Sequence, residues 1–487
     1  MSTPKTVQEY IDETPLWPDG TGVAVAPMTS MQWRIWGLAT AGKFFEGLVV
    51  FMTGVALPLM ALEFHLTATQ KGMIGAASLF GILIGATALG GLADYFGRKQ
   101  MFIVEMMLFT IFLTLTAFST SFPLLIFYLF GMGLALGCDY PTAHLVISES
   151  IPSHCRGRLV LGAFGFQAVG ALAGTLLGFL ILKTDESVID WRLMYAVAII
   201  PAVIVIFGRF FITQSGQWLV SQGRMLEAEL ETERLLRRSP VYPTKVVLKA
   251  PDPDPSDAEL PKKNRFLKLF TKKKNRRATI LAAVPWFLQD ISTYGIGIFT
   301  PIIISTSIGV TNHHARNLAE IIHADMRGAE GAAMIDVLLV VGIAAAVLLA
   351  DRLGRISLQI TGFIGCAIGL FLAALSTYYV GIPSMLLIYA GFMLFNFMTN
   401  MGPNSMTYLL AGEVFPTKVR GIGAGFAASF AKIGAVLTAF LFPILLKDLG
   451  TATLLYALVV TSLLGALITW RFQVETRGIN LERVGLE

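Results

Sequence analysis

The sequence predicts an all-α, polytopic membrane protein with twelve transmembrane helices in two pseudo-symmetric six-helix bundles. The first observation is composition: 55% of the 487 residues are hydrophobic, only 14% are charged, and the mean hydropathy is +0.68. A soluble domain carries about 25% charged residues, so most of this surface cannot face water. The second is that apolar stretches near the length of a spanning helix, about 20 residues, recur twelve times. The third is that short motifs of the first half return in the second.

The predicted helices follow one another with short connections, except for one long polar segment in the middle. The apolar stretches lie at residues 36–62, 72–93, 101–119, 122–148, 160–182, 192–213, 278–308, 332–350, 357–379, 382–410, 422–447 and 451–473. The polar segment contains "APDPDPSDAELP" and "KKKNRR", which favours a solvated linker over a regulatory element. The expected domains are an N-terminal tail (1–31), a first bundle (32–213), a linker (214–277), a second bundle (278–473) and a C-terminal tail (474–487).

The distribution of positive charge predicts the orientation in the membrane. Most of the 37 Lys and Arg residues fall in loops and tails on one side if both termini are cytoplasmic. This asymmetry follows the positive-inside rule and predicts a multi-pass protein of the plasma (inner) membrane. The net charge of +5 then reflects topology, and no nucleic-acid partner is expected. The first thirty residues lack a basic-then-apolar leader, so we expect no cleaved signal peptide.

The sequence has no pattern typical of a catalytic or metal centre. Cys138, Cys155 and Cys366 are widely spaced and fit neither a disulfide framework nor a set of metal ligands. A G-x-x-x-x-G-K-[ST] loop is absent from the sequence, which disfavours an ATP-driven pump. We therefore expect a protein that is not an enzyme, has no metal or cofactor, and is a monomer.

Two pairs of loop motifs repeat between the halves. "ADYFGRK" follows the second predicted helix and "ADRLGRI" the eighth, while "ESIPSHCRG" follows the fourth and "EVFPTKVRG" the tenth. Gly permits the tight turn, and the Arg of the first motif can pair with the Glu of the second. The candidate latch residues that would gate one face are Asp94, Arg98, Glu149, Arg156, Asp351, Arg355, Glu413 and Arg420. The alternative is that these are plain short-loop salt bridges.

These motifs carry a family resemblance. "GGLADYFGRK", its echo "ADRLGR" and the paired E-x-x-P-x-x-x-R-G resemble the signature loops of the major facilitator superfamily, over nearly the whole chain beyond the first thirty residues. The resemblance implies the major facilitator fold, with a substrate site near the midplane and one half rocking against the other. The tail "VETRG" is similar to the sugar-porter-like branch, but its companion signature before the linker is only "TQSGQWLVSQGR".

Five further segments resemble the phosphate:proton symporters of that branch: "GCDYPTAH", "FGFQAVG", "WFLQDISTYG", "GPNSMTYLLAGEVFPTKVRG" and "AKIGA". The resemblance implies a substrate pocket formed by Tyr140, Gln167, Trp286, Asp290, Tyr294, Asn404 and Lys432. It also ties Glu46 and Asp139 to proton movement, and they are the acids that we place within the N-terminal helices. The family's second acid in helix 1 is Val49 here and its arginine early in helix 4 is Leu129, which leaves the substrate open.

Asp290 has a physical basis beside the resemblance. Trp286, Asp290 and Tyr294 are spaced i, i+4, i+8, so they share one face of a helix. An ionised carboxylate at mid-membrane costs roughly 2.5–3.5 kcal/mol on insertion scales, so it is rarely incidental. It would also repel an anion, unless it binds in protonated form and donates a hydrogen bond. Loss of that proton would then expel the anion, which couples the two movements and makes Asp290 a third proton-coupling residue.

The other polar residues leave alternatives open. Lys432 is either the cation that binds the anion or a side chain that snorkels to the interface. Glu46 is either part of the proton relay or the structural partner of Lys43 at i, i+3. His144 is more typical of a hydrogen-bonded packing residue. A stripe of amides faces either the cavity or a neighbouring helix; it comprises Asn396, Asn400 and Asn404.

The leading interpretation is a proton-coupled symporter that imports a small oxyanion, most readily phosphate, by alternating access. Its partners would be the anion, protons and the lipid bilayer. The same frame with a reshaped pocket would suit an organic-acid, sugar or other metabolite:proton symporter. A different class is a transporter-derived nutrient sensor.

Overall fold

The structure is a computed structural model. It describes residues 4–14, 25–89, 91–184, 187–238, 243, 245–249, 269–307, 318–415 and 419–476. Much of the N-terminal tail, the "APDPDPSDAELP" segment and the C-terminal tail beyond residue 476 lie outside these described residues.

The described chain is almost entirely helical, and its long helices follow the predicted order. Eleven of them are long and apolar enough to cross a membrane. The last one bends at Gly450, whose φ of 79° and ψ of 166° are not helical, and so contains two spans, α11 (420–449) and α12 (451–472). The predicted number of twelve is therefore confirmed. The bounds are α1 Ser30–Glu63, α2 Ala68–Ile84, α3 Arg98–Ala117, α4 Phe122–Ser150, α5 Ser153–Thr184, α6 Asp190–Phe210, α7 Lys273–Ser307, α8 Leu318–Leu353, α9 Arg355–Leu375, α10 Ile382–Met401 with Pro403–Glu413, and α11 with α12 Arg420–Phe472.

Two helix starts differ most from the prediction. The eighth helix, predicted from residue 332, begins at Leu318, and the fifth, predicted from 160, begins at Ser153. In both, polar residues interrupt the apolar pattern while the backbone hydrogen bonds of the helix continue, as around Asp325 in α8. Apolar length marks what lipid requires, whereas a helix can extend beyond it. Capping boxes fix other starts: Thr29 and Gln32 at α1, and Thr67 and Gln70 at α2.

The linker is more ordered at its beginning than predicted. Two short helices, Gly216–Ser221 and Met225–Leu236, pack together with a third, Val7–Asp12, from the N-terminal tail. Trp218 and Leu236 are buried in this cluster, because the amphipathic segment 225–236 has one apolar face that can leave water. Asp12 accepts hydrogen bonds from the backbone N–H of Ser153 at 2.7 Å, which attaches the tail to the start of α5.

The long helices form two groups of six. Within the first, α1 packs on α4, α5 and α6, while α3 packs on α4 and α6. Within the second, α7 packs on α8, α9 packs on α10, and α11 and α12 complete the group. The groups meet through three main helix pairs: α5 with α8, α2 with α11, and α1 with α7.

The two ends of this bundle are built differently. We call the end that carries the repeated loop motifs, with the turns at Gly97 and Gly354, the motif face, and the opposite end the far face. Near the far face the two groups touch backbone to backbone. A side chain at Gly54 of α1 would collide with the carbonyl oxygen of Ile298 in α7, and one at Gly72 of α2 with that of Phe440 in α11. The far half of the interface is therefore closed.

Candidate functional site

A cavity lies between the two six-helix groups, at the level of Asp290 in the middle of α7. All seven residues that the sequence predicts to bind substrate line it, and they come from both groups. They are Tyr140 of α4, Gln167 of α5, Trp286, Asp290 and Tyr294 of α7, Asn404 of α10 and Lys432 of α11. The spacing of i, i+4, i+8 along α7 thus brings three side chains to one cavity wall. Lys43 of α1 also lines the cavity.

The centre of the site is a buried cluster of two lysines and two carboxylates. Nζ of Lys432 lies 3.1 Å from Oε1 of Glu46 and 3.7 Å from Oδ2 of Asp290. Nζ of Lys43 lies 2.5 Å from Oε2 of Glu46. The amine of Lys432 therefore points into the cavity, and the alternative that it snorkels to the interface does not describe this conformation. Buried charges are tolerated when they are paired in this way.

Tyr294 organises this cluster. Its hydroxyl donates to Oε1 of Glu46 at 2.9 Å and accepts from Nε2 of Gln167 at 3.0 Å and from Nζ of Lys432 at 2.5 Å. One donor and two lone pairs are all that a phenol offers, so its capacity is used in full. Nζ of Lys432 also lies 4.4 Å from the centre of the Tyr294 ring. Glu46 thus pairs with Lys43, which is the structural role considered for it. It also contacts Tyr294 and Lys432 of the predicted pocket.

Asp290 is less satisfied than its neighbours. Its Oδ2 is buried and has no hydrogen-bond partner in the described part of the chain, since the amine of Lys432 is beyond hydrogen-bond distance. A buried polar oxygen without a partner is costly unless a ligand or water completes it, or a proton removes its charge. Asp290 therefore offers an open hydrogen-bonding position inside the cavity.

Aromatic rings separate the cluster from the motif face. Tyr408 of α10 stacks on Phe164 of α5, with ring centres 4.5 Å apart and planes inclined by 13°. Its ring also meets those of Tyr140 and Trp286 edge-on. The sequence analysis missed Tyr408, although it follows Asn404 at i+4 and shares its helix face. His144 lies beside it, with Nδ1 3.3 Å from the Tyr408 hydroxyl, so it makes a hydrogen bond, although the residue is exposed.

The asparagine stripe of α10 serves both functions that were considered. Asn404 lines the cavity and donates to Oδ1 of Asn400 at 2.6 Å. Asn400 donates to the carbonyl oxygen of Leu339, and Asn396 to Oδ1 of Asp336, so these two join α10 to α8. Gly402 breaks the helix within the stripe, with φ of −111° and ψ of −102°.

Asp139 lies in a second buried charged group. Its Oδ1 is 2.5 Å from Nη1 of Arg209, a fully buried residue of α6. Leu129 stands where the resemblance to the phosphate:proton symporters places an arginine. In this protein Arg209, from another helix, supplies a positive charge beside Asp139. Glu105 of α3 is also buried here and accepts a hydrogen bond from the Thr142 hydroxyl at 2.8 Å. The statement that Glu46 and Asp139 are the acids of the N-terminal helices is therefore wrong, because Glu105 lies within the predicted stretch 101–119.

The latch residues form matching networks in the two halves. Arg98 bridges Glu149 at 3.0 Å and Asp94 at 2.8 Å, and Arg355 bridges Glu413 at 3.3 Å and Asp351 at 2.9 Å. The preceding glycines, Gly97 and Gly354, have φ of 101° and 91°, a conformation that other residues rarely adopt. Arg156 and Arg420 donate to the carbonyl oxygens of Ile151 and Phe415.

These networks lie within each half. Among the described residues, the ion pair that joins the halves at this face is Arg158 with Asp351, at 3.6 Å, and both side chains are exposed. The latch residues thus join the loops and helix ends within each bundle. The ion pair between the bundles is weak, because both of its side chains are exposed to solvent.

The segment "TQSGQ" takes the structural place in the first half that "VETRG" takes in the second. Ser215 donates to Glu149 and Thr476 donates to Glu413, each at 2.5 Å. Glu475 accepts from the backbone N–H of Arg355 at 3.1 Å, and Gln214 accepts from the backbone N–H of Lys99 at 3.0 Å. Gln214 and Ser215 of the first half therefore take the roles of Glu475 and Thr476 of the second, with hydrogen bonds to the corresponding loop motifs. This correspondence could not be seen in the sequence, because "TQSGQWLVSQGR" does not match the family signature.

Comparisons with known proteins agree with this architecture. A family model described as "Sugar (and other) transporter" matches residues 34–486. The inner membrane metabolite transport protein YgcS of Escherichia coli strain K12 is 27% identical over 468 residues, which cover 94% of this chain and 95% of that protein. The repressible high-affinity phosphate permease of Neurospora crassa is 28% identical over 452 residues, which cover 85% of this chain and 77% of that protein.

Solved structures show the same fold. The xylose transporter XylE from E. coli, in a partially occluded inward-open conformation, matches with a TM-score of 0.74 and 20% sequence identity. The match covers 93% of this chain and 100% of that chain. The major facilitator fold predicted from the repeated loop motifs is therefore confirmed. At this identity the likeness concerns the fold and not the substrate.

Proposed function

Because the chain belongs to the Sugar (and other) transporter family, we propose that it is a proton-coupled symporter that carries a small oxyanion, with inorganic phosphate as the leading substrate. The proposed substrate-binding residues are the seven that line the central cavity, and the proposed proton-coupling residues are Glu46, Asp139 and Asp290. Transport proceeds by alternating access, as the repeated six-helix units favour. The similarity to a phosphate permease supports this substrate.

The observation that carries the proposal is the contact of Lys432 with Glu46. The lysine belongs to the second bundle and the glutamate to the first, and they meet 3.1 Å apart beside a cavity. An anion that binds the Lys432 amine competes directly with Glu46 for it. Substrate binding therefore changes a contact between the bundles, which is what alternating access requires.

The charge balance of the cluster explains why protons would accompany an anion. With both lysines and both carboxylates ionised, the cluster has no net charge. An anion that enters alone adds a negative charge to a buried site, which is costly. An anion that enters with a proton on Asp290 leaves the balance unchanged, and the protonated carboxyl then donates a hydrogen bond to it. Tyr140, Trp286, Gln167 and Asn404 supply neutral donors.

The motif face is proposed to be cytoplasmic, with both termini, in a plasma (inner) membrane. The excess of Lys and Arg in its loops supports this orientation. The latch networks of Asp94 and Asp351 would then gate the cytoplasmic side, and the Tyr408 ring, stacked on Phe164, would narrow the path from the cavity to it. The protein would act as a monomer, since a complete cavity is built from one chain.

A second candidate is a symporter for another metabolite. The departures at Val49 and Leu129 and the added Lys43 change the charges near the cavity relative to the phosphate symporters. The similarity to a metabolite transport protein favours this alternative. A nutrient sensor derived from a transporter would bind the same ligand without net transport.

Counterflow in proteoliposomes separates these functions. Vesicles loaded with unlabelled phosphate should take up labelled phosphate, and excess unlabelled phosphate outside should suppress the uptake more than organic acids or sugars do. Lys432→Ala should abolish the uptake, whereas Lys183→Ala, a change at an exposed lysine of α5, should not. Counterflow of a labelled sugar or organic acid into vesicles loaded with the same unlabelled compound, without counterflow of phosphate, would assign the second candidate. Binding without counterflow of any of these compounds would indicate a sensor.

A further inference from the structure

A buried carboxyl group in α8 belongs to neither the cavity cluster nor the latch. Asp336 lies at the centre of α8 and is 3% exposed. It falls within the predicted stretch 332–350, yet the sequence analysis assigned it no role. An ionised aspartate at such a depth is costly in the absence of a cation.

Asp336 makes hydrogen bonds to helices of both six-helix groups. Its Oδ1 accepts from the amide nitrogen of Asn396 in α10 at 3.0 Å. Its Oδ2 lies 3.1 Å from the hydroxyl oxygen of Thr175 in α5. Asn396 belongs to the same group as Asp336, but Thr175 belongs to the other. One carboxyl group thus joins the two groups through a buried contact.

The position of hydrogen atoms follows from counting donors. The Thr175 hydroxyl has one hydrogen, and the carbonyl oxygens of Ala171 and Leu172 in its own helix lie 3.1 Å away as acceptors. If that hydrogen bonds within the helix, the contact between Thr175 and Asp336 needs a hydrogen from the carboxyl group. A protonated Asp336 supplies it, and Oδ1 still accepts from Asn396. Every group then has a partner, without a buried charge.

No compensating cation reaches Asp336 in the described part of the chain: its side chain makes hydrogen bonds with Thr175 and Asn396. The charged side chains of α8 and of the helices packed on it lie in the central cluster, in the latch or at exposed positions, except for Asp325, which is buried but is an acid and not a cation. The groups concerned are Lys43 and Glu46 of α1, Lys183, Arg156 and Arg158 of α5, Asp290 and Tyr294 of α7, Arg355 of α9, and Tyr389 and Glu413 of α10, with Asp325, Arg327, Glu330 and Asp351 on α8 itself.

We propose that Asp336 is a second proton-binding site, whose proton ties α8 to α5 and holds the far half of the interface closed. The site takes a proton alone and does not touch the transported anion. When the proton leaves, the carboxylate keeps Asn396, and only the Thr175 hydroxyl can donate to the contact, which takes its hydrogen away from the carbonyl oxygens of its own helix. The charge of the carboxylate, which has no cation beside it, then favours separation of the two helices into water. The far face then opens.

This site gives the transport cycle a direction. A transporter that loads a proton with its substrate at the far face would close there, because the protonated Asp336 stabilises the closed form. Release of the proton at the motif face would remove that stabilisation and allow the return. This step rests on the proposed symport, but its test below reads conformation and needs no substrate. Phosphate counterflow of the wild type tests the proposed function separately.

The test measures the opening of the far face as a function of pH. Spin labels at Phe118→Cys and Val380→Cys, exposed far-face positions of the two bundles, report their separation in lipid nanodiscs by pulsed dipolar spectroscopy. The background carries Cys138→Ala, Cys155→Ser and Cys366→Ala. We expect the open population to rise several-fold from pH 5.5 to pH 8.5. Asp336→Asn, whose amide donates to Thr175 as the acid does, should stay closed throughout.

Two further variants make the result specific. Thr175→Val removes the acceptor and should raise the open population at both pH values. Asp325→Asn changes another buried acid of α8, about three turns away, and should respond to pH as the wild type does. An Asp336→Asn protein that opens with pH like the wild type would overturn the proposal, and so would a wild type with no pH response.

Discussion

The hydroxyl group of Tyr294 in α7 donates a hydrogen bond of 2.9 Å to Oε1 of Glu46 in α1. The same oxygen lies 3.1 Å from Nζ of Lys432. The two bundles are therefore joined at the cavity by groups that an anion or a proton can rearrange. Neutral Glu46 would hold Lys43 and Lys432 less tightly, so a change of its charge loosens contacts within and between the bundles.

The first prediction concerns coupling to the proton gradient. Glu46→Gln or Asp139→Asn should abolish accumulation driven by a pH gradient, because neither side chain can then exchange a proton. Substrate exchange across the membrane should survive better. Uptake against a concentration gradient, compared with exchange in the same vesicles, is the measurement. If both variants still concentrate substrate, their assignment to a proton relay is wrong.

Asp139→Asn needs a control for folding, because its charge partner is fully buried. Removing one member of a buried ion pair typically costs about 3–5 kcal/mol, since the other charge is left without compensation. Arg209 would be that charge. Thermal unfolding of the purified variant separates loss of coupling from loss of structure, and a double change of Asp139→Asn with Arg209→Met should recover stability without coupling.

The second prediction ranks two latch residues. Asp94→Asn should slow cycling between the two conformations and leave substrate binding largely intact, because the motif face lies away from the cavity. The Asp94 side chain is 69% exposed, so its ion pair with Arg98 contributes about 1 kcal/mol or less. Glu149→Gln should slow transport more, since the Glu149 side chain is only 11% exposed and also accepts from Ser215. Equal loss of binding and transport in Asp94→Asn would argue against a conformational role.

The third prediction concerns closure of the far face. Gly54→Ala should prevent the closed form, because the added methyl group would collide with the backbone carbonyl of Ile298, which cannot rotate away. Gly37→Ala is the matched control in the same helix, since a methyl group there has nothing within 4 Å. Transport by Gly54→Ala should fall at least tenfold while Gly37→Ala keeps wild-type transport. Similar rates for both would show that the bundles do not need this contact.

Sequence patterns predicted the helices and the cavity residues better than the buried polar contacts between helices. The i, i+4, i+8 spacing places Trp286, Asp290 and Tyr294 on one face without knowledge of any other helix. Arg209 and Asp336 gave no such pattern, because each is a single polar residue in an apolar stretch. Their partners, Asp139 and Thr175, come from other helices. In a helix surrounded by lipid and protein, apolar residues lie on every side, so periodicity does not indicate the direction of a lone charge.

The last prediction concerns the role of Asp290 in binding the anion. Asp290 lines the cavity, its Oδ2 has no hydrogen-bond partner among the described residues, and Nζ of Lys432 lies 3.7 Å from that oxygen. If the acid binds the anion as a protonated donor, Asp290→Asn should still bind it, because an amide donates a hydrogen bond and carries no charge. Asp290→Glu should bind worse, because the extra methylene moves the donor by more than a tight site tolerates. Active transport by Asp290→Asn should fail if this acid also carries a coupled proton.

Calorimetric titration with phosphate from pH 5 to pH 9 tests this role directly. The wild type should lose affinity as pH rises, because deprotonation of Asp290 replaces a donor by a negative charge that repels the anion. The Asp290→Asn protein should bind with a flatter pH profile, since position 290 no longer titrates. Phosphate itself gains charge over this range, and its contribution, together with that of the other titrating groups, is what the variant measures. A folded Asp290→Asn protein that binds phosphate at no pH would rule out the protonated donor, and the carboxylate would then be required to pair with Lys432.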